Sequence, residues 1–502
     1  MENALHQALV RWAAARPEQP FVIAAETGEV LTYGECLAAV QALRERLGPA
    51  PRHIALTLPG GIASAVVWLA ALTGGHLLVP LSPTAAEPEK ERAARRYAPD
   101  LLIVEQPAEA YGFGCPDAAI LTRWDCERII AQVADVAGEL WPAAPGRVAL
   151  TTSGTTGEPK GVILAEPQIA WAAGQIGLSH RLTPADRGLT ALPFCHVNAP
   201  VVSLCASLLA GSTVVVAAHF SRGQFWSWVE RYQITWASIV PTIVAALLDT
   251  AKPAFLPGAL RFVRTASAPL PAMRARAFEA RFGVPVVETY GLSEAASTVA
   301  ANPVPPGTHK PGSVGLPVGV ALRVCQPRAG AGPAALRDVS PGASGEICVR
   351  GPGLIHEYLG GAGSESFQDG WFRTGDLGRL DEDGYLFITG RLREVINRGG
   401  ETIAPREIEE TLLAHPAVRD VAVIGRPDRH YGEVVVACVV ARAGDAVESE
   451  DFARSLHQFA AERLSPHKVP VDFVLFDALP RNPNGKLNRQ RLQAQELQYA
   501  GD

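Results

Sequence analysis

The sequence predicts an α/β protein with a large N-terminal domain, in which mainly parallel sheets are covered by helices and joined by a β-rich subdomain. A small mobile C-terminal α+β domain follows. Three observations support this prediction. Short apolar runs alternate with helical patterns over the first 300 residues, and proline and glycine then become dense between short strand patterns. Near residue 390 a new series of strand and helix patterns begins, long enough for an independent domain.

The first region predicts strands at apolar, β-branched runs that are separated by helical patterns. The runs are HIALTLP (53–59), LLVPL (77–81), DLLIVEQ (100–106), STVVVAA (212–218), ITWASIVP (234–241) and PVVETYG (285–291). A representative helix is predicted over 271–283, because Gly283 supplies a C-terminal stop. Such alternation favours a parallel sheet whose ligand-binding loops follow the carboxyl ends of the strands.

The residue composition and the predicted pattern of strands and helices change twice towards the C-terminus. Segment 303–319, PVPPGTHKPGSVGLPVG, begins the β-rich part. After residue 390 the sequence predicts strands at VRDVAVIG, GEVVVACVVA and VPVDFVLF, with a helix at SEDFARSLHQFAAERL between the second and the third. We therefore predict two domains, a core over 1–390 and a mobile domain over 391–502, with a hinge between them.

Composition excludes several classes of protein. A chain of 502 residues exceeds what one hydrophobic core usually supports, and a net charge of −6 argues against nonspecific binding to nucleic acid. No apolar run approaches the roughly twenty residues of a membrane span, and the N-terminus lacks the apolar segment of a signal peptide. The eight cysteines contain no C-x-x-C pair, which is typical of a reducing cytoplasm.

Segment 151–161 reads TTSGTTGEPKG and lies between the apolar runs RVAL and VILA. Hydroxyl groups, glycine amides and one lysine are the donors that bind an oxyanion. The alternative, a flexible Ser/Thr/Gly linker, fits the composition but not the position between two candidate strands. The segment is not a P-loop of the Gly-Lys-Ser/Thr type, because Lys160 is followed by Gly161. Only six of the 45 basic residues are lysines, so Lys160 and Lys486, both in glycine-containing loops, are candidates for chemistry that arginine cannot replace.

Five segments resemble, in order, the motifs of the adenylate-forming superfamily, which contains acyl-CoA synthetases, peptide-synthetase adenylation domains and beetle luciferase. They are TTSGTTGEPKG (151–161), ETYGLSEA (288–295), GWFRTGDLG (370–378), GRLREVINRGGETIAPREIE (390–409) and PRNPNGKLNR (480–489). The resemblance covers nearly the whole chain and is strongest to the acyl-CoA ligase branch. It implies an enzyme, an acid–thiol ligase, that forms an acyl-adenylate from ATP and an organic acid and then transfers the acyl group to CoA.

The resemblance also implies roles for residues at the nucleotide. Tyr290 would stack on adenine, Ser293 would hydrogen-bond phosphate, and Glu294 would hold Mg²⁺. Asp376 and Arg391 would bind the ribose. The phosphates would be surrounded by Thr152, Ser153, Gly154, Thr155, Thr156, Gly157 and Lys160. Superfamily members usually have threonine at the position of Ser293, and serine keeps the hydroxyl.

Catalysis is assigned by the resemblance to Lys486, with His196 and Glu294. Lys486 would reach from the small domain and neutralise charge at the α-phosphate. The small domain would then rotate about Arg393, where most relatives have Asp or Lys. After rotation CoA would contact three residues in the C-terminal domain. These are Gly399 and Gly400, along the pantetheine tunnel, and Tyr431, which is equally well explained as an ordinary loop tyrosine.

Six positions match the acid-binding wall of the superfamily: Asn198, Ser238, Ala266, Gly291, Ala296 and Ser297. They are small or polar and include no lysine or arginine, which predicts a medium-to-large, largely uncharged acid. Three alternatives stay open. Segment 301–319 resembles oxalate–CoA ligases, a free-standing adenylating enzyme could load a carrier protein, and a relative could perform one half-reaction only. The sequence predicts no nucleic-acid partner and no membrane span.

Overall fold

The computed structural model describes residues 3–132, 143–151, 160–251, 253, 258–327, 336–361, 363–442, 449–481 and 487–499. Two mainly parallel sheets form most of the N-terminal part. Their strands are β1 (Pro20–Ala24), β2 (Val30–Thr32), β3 (His53–Leu56), β4 (Leu77–Pro80), β5 (Leu101–Val104), β6 (Ala119–Thr122), β7 (Arg147–Thr151), β8 (Gly161–Ala165), β9 (Arg187–Thr190), β10 (Thr213–Val216), β11 (Trp236–Ile239), β12 (Phe262–Thr265), β13 (Val286–Leu292), β14 (Ser297–Ala301) and β15 (Leu316–Pro317).

The nine-stranded sheet has the order β15-β14-β13-β12-β11-β9-β10-β1-β2, in which β1 and β9 to β13 run parallel. The six-stranded sheet has the order β6-β5-β3-β4-β7-β8, and only β8 runs antiparallel to its neighbour. Each of the six apolar runs predicted as strands contains or overlaps one of these strands. The prediction of parallel sheets covered by helices is therefore confirmed.

Helices cover both sheets. They are α1 (Ala4–Ala15), α2 (Tyr33–Leu47), α3 (Ile62–Thr73), α4 (Glu87–Tyr97), α5 (Arg123–Ala131), α6 (Glu166–Ser179), α7 (Ala206–Ala210), α8 (Phe225–Arg231), α9 (Pro241–Leu248) and α10 (Ala272–Phe282). Sequence signals set their ends: α2 starts with a capping box between Thr32 and Glu35, and α10 stops at Gly283, whose φ is 68°. Every residue of α3 is buried, because this apolar helix contacts β1 of one sheet and β4 and β7 of the other.

Short helical turns connect these elements. Residues Asn198–Cys205 form a π-helical segment that leads into α7. The 3₁₀ turns are Pro107–Phe113, Ser293–Ala295, Leu359–Gly361, Ser364–Ser366, Leu392–Glu394 and Pro466–Lys468. The turn at Ser293–Ala295 matters most for the site, because it reverses the chain between β13 and β14.

The β-rich part forms one five-stranded antiparallel sheet. Its strands are β16 (Ala321–Cys325), β17 (Gly345–Arg350), β18 (Phe367–Gln368), β19 (Trp371–Leu380) and β20 (Leu386–Arg391). The order is β16-β17-β19-β18, and β20 pairs with the other part of β19. No long helix interrupts it within the described residues 321–327, 336–361 and 363–391, as the change of sequence texture after residue 300 predicts.

The C-terminal part has a sheet and hydrophobic cores of its own. Its strands are β21 (Ile396–Arg398), β22 (Glu401–Ile403), β23 (Val418–Asp428), β24 (Gly432–Ala441) and β25 (Asp472–Leu475), and its helices are α11 (Pro405–Leu413), α12 (Ser449–Ala461) and α13 (Arg489–Tyr499). A core cluster of this part includes Ile396, Val423, Val439 and Leu456. A smaller C-terminal α+β domain is thus present, while the boundary between 390 and 391 stays a prediction. None of the helices in the described part of the chain is long and apolar enough to cross a bilayer.

Candidate active site

Tyr290, Asp376 and Arg391 form one hydrogen-bonded group, although 86 residues separate the first two. The Tyr290 hydroxyl donates to Oδ2 of Asp376 at 2.6 Å, and Nε of Arg391 lies 2.9 Å from Oδ1. Strand pairing sets this arrangement, because Asp376 on β19 is the register partner of Arg391 at the end of β20. Tyr290 comes from β13, near its carboxyl end, where ligands bind to parallel sheets.

The Asp376 carboxylate lies between a phenol and a guanidinium whose pKa values are both shifted. Burial, followed by the neighbouring Asp376, raises the pKa of Tyr290 well above its ordinary value, so its hydroxyl stays a donor. Asp376 is also the main cause that raises the pKa of Arg391. A carboxylate has about four acceptor positions. Asp376 therefore keeps acceptor capacity for two further hydroxyl groups.

Glu294 is oriented by a residue that the sequence did not single out. The hydroxyl of Tyr358 donates to Oε1 of Glu294 at 2.7 Å, and the backbone N–H of Ile355 donates to the Glu294 carbonyl at 2.8 Å. Burial, then Glu294 itself, raises the pKa of Tyr358, so this phenol remains a donor. Oε2 of Glu294 has no donor among the described residues.

A single half-buried carboxylate with one open oxygen fits the way in which Mg²⁺ is bound beside nucleotides. Mg²⁺ usually takes one or two protein carboxylates and completes its shell with phosphate oxygens and water. The described residues contain no cluster of three or more His, Cys, Asp or Glu side chains that would hold a metal alone. Glu294 could therefore hold Mg²⁺ only together with a phosphate ligand.

Lys160 lies next to Tyr358, the same tyrosine that donates to Glu294. Its Nζ lies 4.8 Å from the centre of the Tyr358 ring and 3.5 Å from Oε1 of Glu365. Two predicted residues thus contact one tyrosine, Glu294 at its hydroxyl and Lys160 at its ring. The other predicted phosphate-binding residues, Thr152 to Gly157, lie outside the described residues, as does Lys486.

The backbone between β13 and β14 is strained at the predicted acid wall. Ala296 has φ 52° and Ser297 has φ 117°, backbone conformations that residues other than glycine rarely adopt. Gly291 lies against the same turn, where a Cβ on it would stand 1.7 Å from the Ser297 carbonyl oxygen. Only glycine allows this approach. Tertiary packing therefore fixes the turn that carries three of the six predicted wall positions.

A buried guanidinium connects two more wall positions. Nη1 of Arg264, on β12, donates to Oδ1 of Asn198 at 2.6 Å and to Oγ of Ser238 at 3.3 Å. Nη2 donates to Oγ1 of Thr298 at 3.1 Å. We call Arg264, Asn198, Ser238 and Thr298 the Arg264 cluster. The six matched positions contain no lysine or arginine, as stated above, but the Arg264 side chain contacts two of them, so a cation does adjoin the predicted acid wall.

The remaining predicted residues are placed as follows. Ala266 is buried directly after β12, Ser293 begins the 3₁₀ turn beside Glu294, and His196 is exposed in the loop before the π-helical segment. Arg393 lies in the 3₁₀ turn between the β-rich sheet and the C-terminal part, where burial lowers its pKa.

Two of the residues predicted to contact CoA lie side by side in the C-terminal part. The N–H of Gly399 donates to the Tyr431 carbonyl at 2.8 Å, and the Arg398 guanidinium lies 5.2 Å from the Tyr431 ring centre. Gly399 and Gly400 have φ values of 58° and 92°, which favour glycine. This turn exposes more than half of the Tyr431 side chain as a flat surface.

Family membership follows from the sequence matches. Residues 9–359 match the family described as AMP-binding enzyme, and residues 407–486 match the AMP-binding enzyme C-terminal domain. The chain belongs to the AMP-binding enzyme family. It is 37% identical over 501 residues to a sulfoacetate–CoA ligase of Cupriavidus necator, covering 96% of this chain and 95% of that protein. It is 33% identical over 462 residues to an oxalate–CoA ligase of Arabidopsis thaliana, covering 87% of each.

Solved structures of the AMP-binding enzyme family share the whole fold. ATP-bound MatB from Rhodopseudomonas palustris superposes with a TM-score of 0.88 at 27% identity, covering 99% of both chains. O-succinylbenzoate coenzyme A synthetase from Bacillus subtilis, in complex with ATP and magnesium ion, gives 0.83 at 28% identity and covers 97% of this chain and 99% of that one. The predicted superfamily is confirmed, and the CoA-ligase names of the relatives support a ligase over the carrier-protein and half-reaction alternatives.

Sequence reasoning missed Arg264 and Tyr358. An arginine inside the fully buried strand Phe262–Thr265 was a usable signal, because a charge in such a strand needs partners. Tyr358 offered no comparable signal. Its contact with Glu294 joins two residues that are 64 positions apart in the sequence.

Proposed function

We propose that this AMP-binding enzyme is an ATP-dependent acyl-CoA ligase that converts an organic acid, ATP and CoA into an acyl-CoA, AMP and pyrophosphate. The observation that carries the proposal is the group formed by Tyr290, Asp376 and Arg391. It provides an aromatic surface and a carboxylate with free acceptor capacity, which suit the adenine and the ribose of a nucleotide. The family match and the CoA-ligase relatives support the same conclusion.

The reaction has two balanced steps. In the first, a carboxylate oxygen of the acid attacks the α-phosphorus of ATP, a new P–O bond forms, and pyrophosphate leaves with the electron pair of the broken P–O bond. In the second, the CoA thiol gives its proton to water, and its sulfur forms a C–S bond with the acyl carbonyl carbon. The C–O bond to phosphate then breaks and AMP leaves.

Each step makes different demands on this chain. Asp376 and Arg391 would hold the ribose, and Lys160 with the Ser/Thr/Gly segment would bind the outgoing phosphates. When bound at Glu294, Mg²⁺ neutralises charge on phosphate oxygens. We assign the stabilisation of charge at the α-phosphate to Lys486, and gating of the acid to His196.

The second step would follow a rotation of the C-terminal domain about Arg393, with the domains divided at 390/391. The turn at Gly399 and Gly400 and the exposed ring of Tyr431 would then contact CoA. The separate core of the C-terminal part supports such a movement. All eight cysteines are free thiols, which supports a cytoplasmic location.

We propose that the acid substrate is chemically similar to the acids named for the relatives. Sulfoacetate and oxalate are small acids that each carry a second acidic group, so acids of this kind are the first candidates. This replaces the sequence-based prediction of a bulky uncharged acid, which rested on a wall without a cation.

The test uses the purified full-length chain with ATP, Mg²⁺ and a panel of acids. Acid-dependent release of pyrophosphate and the appearance of a CoA thioester, identified by mass, are expected together. A phosphopantetheinylated carrier protein replaces CoA in a parallel reaction, and a chelator removes Mg²⁺ in another. Pyrophosphate release without any CoA thioester, or no release with any acid, would overturn the proposal.

A further inference from the structure

Arg264 is a fully buried cation without a carboxylate partner among the described residues. Only 1% of its surface is exposed, and its three hydrogen bonds go to the neutral side chains of Asn198, Ser238 and Thr298. Its Nε has no acceptor. A guanidinium has five N–H donors, so two of them have no partner among the residues that the structure describes.

Two other buried or half-buried arginines, Arg373 and Arg261, have carboxylate partners. Arg373 is buried against the carboxylate of Glu346, and Nη2 of Arg261 lies 2.8 Å from Oδ1 of Asp186. Arg261 lies three residues before Arg264 in the chain, but its charge is balanced by the carboxylate of Asp186. Burial lowers the pKa of Arg264 to about 9, and no carboxylate opposes this effect. Burying a charge without a compensating partner destabilises the fold. We therefore expect Arg264 to have a function that requires a cation at this position.

The Arg264 cluster is continuous with the acid wall. Asn198 and Ser238 are predicted wall residues, and Thr298 directly follows the wall residue Ser297. Nδ2 of Asn198 also donates to Oγ of Ser267 at 3.1 Å, and Ser267 is exposed with φ 74°. A chain of hydrogen bonds thus leads from the buried guanidinium to the surface beside Ala266, at the carboxyl end of β12.

We infer that the Arg264 cluster recognises a second anionic group on the acid substrate, a carboxylate or a sulfonate, and thereby selects small doubly acidic substrates. The inference rests on the proposed ligase function and names the substrate class of that site. A second acid group brings the missing negative charge and two or three acceptor oxygens. The unpartnered donors of Arg264, with the amide of Asn198 and the hydroxyl of Ser238, are complementary to it.

Pairs of acids that differ only in the second group give a test on the wild-type enzyme. Oxalate is compared with oxamate, malonate with malonamate, and sulfoacetate with (methylsulfonyl)acetate, so that size stays nearly constant while the charge is lost. For at least one pair, kcat/KM for CoA-thioester formation should be about 10- to 100-fold higher for the doubly acidic member, as expected for a charge-assisted hydrogen bond. Equal or higher values for the neutral member in every pair would overturn the inference.

Variants assign the preference to Arg264. Arg264→Met should abolish the ratio between the two members of a pair, mainly by lowering kcat/KM for the doubly acidic one, and Arg264→Lys should keep part of it. Arg261→Met is the matched control, because it removes an arginine that already has a carboxylate partner, and it should leave the ratio unchanged. A ratio that persists in Arg264→Met would contradict the assignment.

The outcomes separate the two proposals. Absence of acid-dependent pyrophosphate release with every acid would refute the ligase function itself. Turnover of acids without preference for the doubly acidic members would refute the role of the Arg264 cluster and leave the ligase intact. If Arg264→Met does not fold, Arg264→Lys and the wild-type pairs still decide, since the preference is measured within one preparation.

Discussion

Nε of Arg391 lies 2.9 Å from Oδ1 of Asp376, and the two residues face each other across the antiparallel pairing of β19 and β20. Arg391 is followed at once by the 3₁₀ turn Leu392–Glu394. Glu394 in turn accepts from Nε of Arg489, on the last helix, at 3.0 Å. Four consecutive residues therefore connect the proposed ribose site to the C-terminal domain.

Replacing Asp376 by Asn should weaken ATP binding. The change removes the charge that faces Arg391 and turns one acceptor oxygen into a donor, so KM for ATP should rise about tenfold or more. Steady-state kinetics at saturating acid and CoA measure it. Asp338→Asn is the control, because that exposed carboxylate pairs with Arg323 on the same sheet at 2.7 Å but lies outside the site. An unchanged KM for ATP in Asp376→Asn would refute the assigned role.

Lys486→Ala should separate the two half-reactions. Loss of the ammonium group at the α-phosphate should lower acyl-adenylate formation about 100-fold or more, while thioester formation from supplied acyl-adenylate stays close to the wild-type rate. Rapid-quench assays of each half-reaction provide the measurement. Lys468→Ala, which removes a lysine paired with Glu407 at 2.7 Å, serves as control. Equal losses in both half-reactions would contradict the prediction.

Arg393→Pro should restrict the rotation of the C-terminal domain about this residue. Proline fixes φ near −65° and is tolerated in the first turn of a helix, which matches the 3₁₀ turn that holds Arg393. Acid-dependent pyrophosphate release should stay measurable, while thioester formation should fall about tenfold or more, because CoA is expected to react only after the rotation. Arg393→Ala removes the side chain but leaves φ free and should affect both steps alike. If proline changes neither step, the hinge lies elsewhere.

Glu288→Gln should change the pH dependence of stability. Burial raises the pKa of Glu288 to about 7, against an ordinary value near 4.5. A carboxyl with a raised pKa stabilises the folded state fully below its ordinary pKa, and this contribution is lost as pH rises through 7. Wild-type Tm should therefore fall between about pH 5 and pH 8 more steeply than Tm of the neutral variant.

The comparison is made by thermal unfolding in buffers across that range. Glu407→Gln is a suitable control, since this carboxylate is half exposed and sits on a salt bridge with Lys468. Parallel slopes of Tm against pH for wild type and Glu288→Gln would show that the Glu288 carboxyl does not titrate as inferred.

The elements of the fold could be read from the sequence because their signals are local. An apolar run such as LLVP at 77–80 is a buried strand in almost any parallel sheet, and Gly283 ends its helix as its position indicates. The order of the strands is not local. Strand β1 pairs locally with β2 but also with β10, nearly 200 residues further along the chain, and no short window of sequence contains both β1 and β10.

The site divides in the same way. The motifs identified Tyr290, Asp376 and Arg391, but their contact depends on two sheets meeting. Arg264 was missed because wall positions were matched one at a time along the chain, whereas its side chain contacts Asn198 in the π-helical segment and Ser238 on β11. The positive φ values at Ala296 and Ser297 likewise come from packing against Gly291 and leave no mark on residue type.

Helix α3 gives all of its surface to neighbours, with β1 on one side and β4 and β7 on the other. Such a helix has no face that water could cover if either sheet were removed. The two N-terminal sheets are therefore expected to be inherited as one unit, because a recombination point that separates them would leave α3 with an uncovered apolar face in the product that contains it. Exchange of segments between relatives is expected to succeed at the edges of this pair of sheets and to fail through its middle.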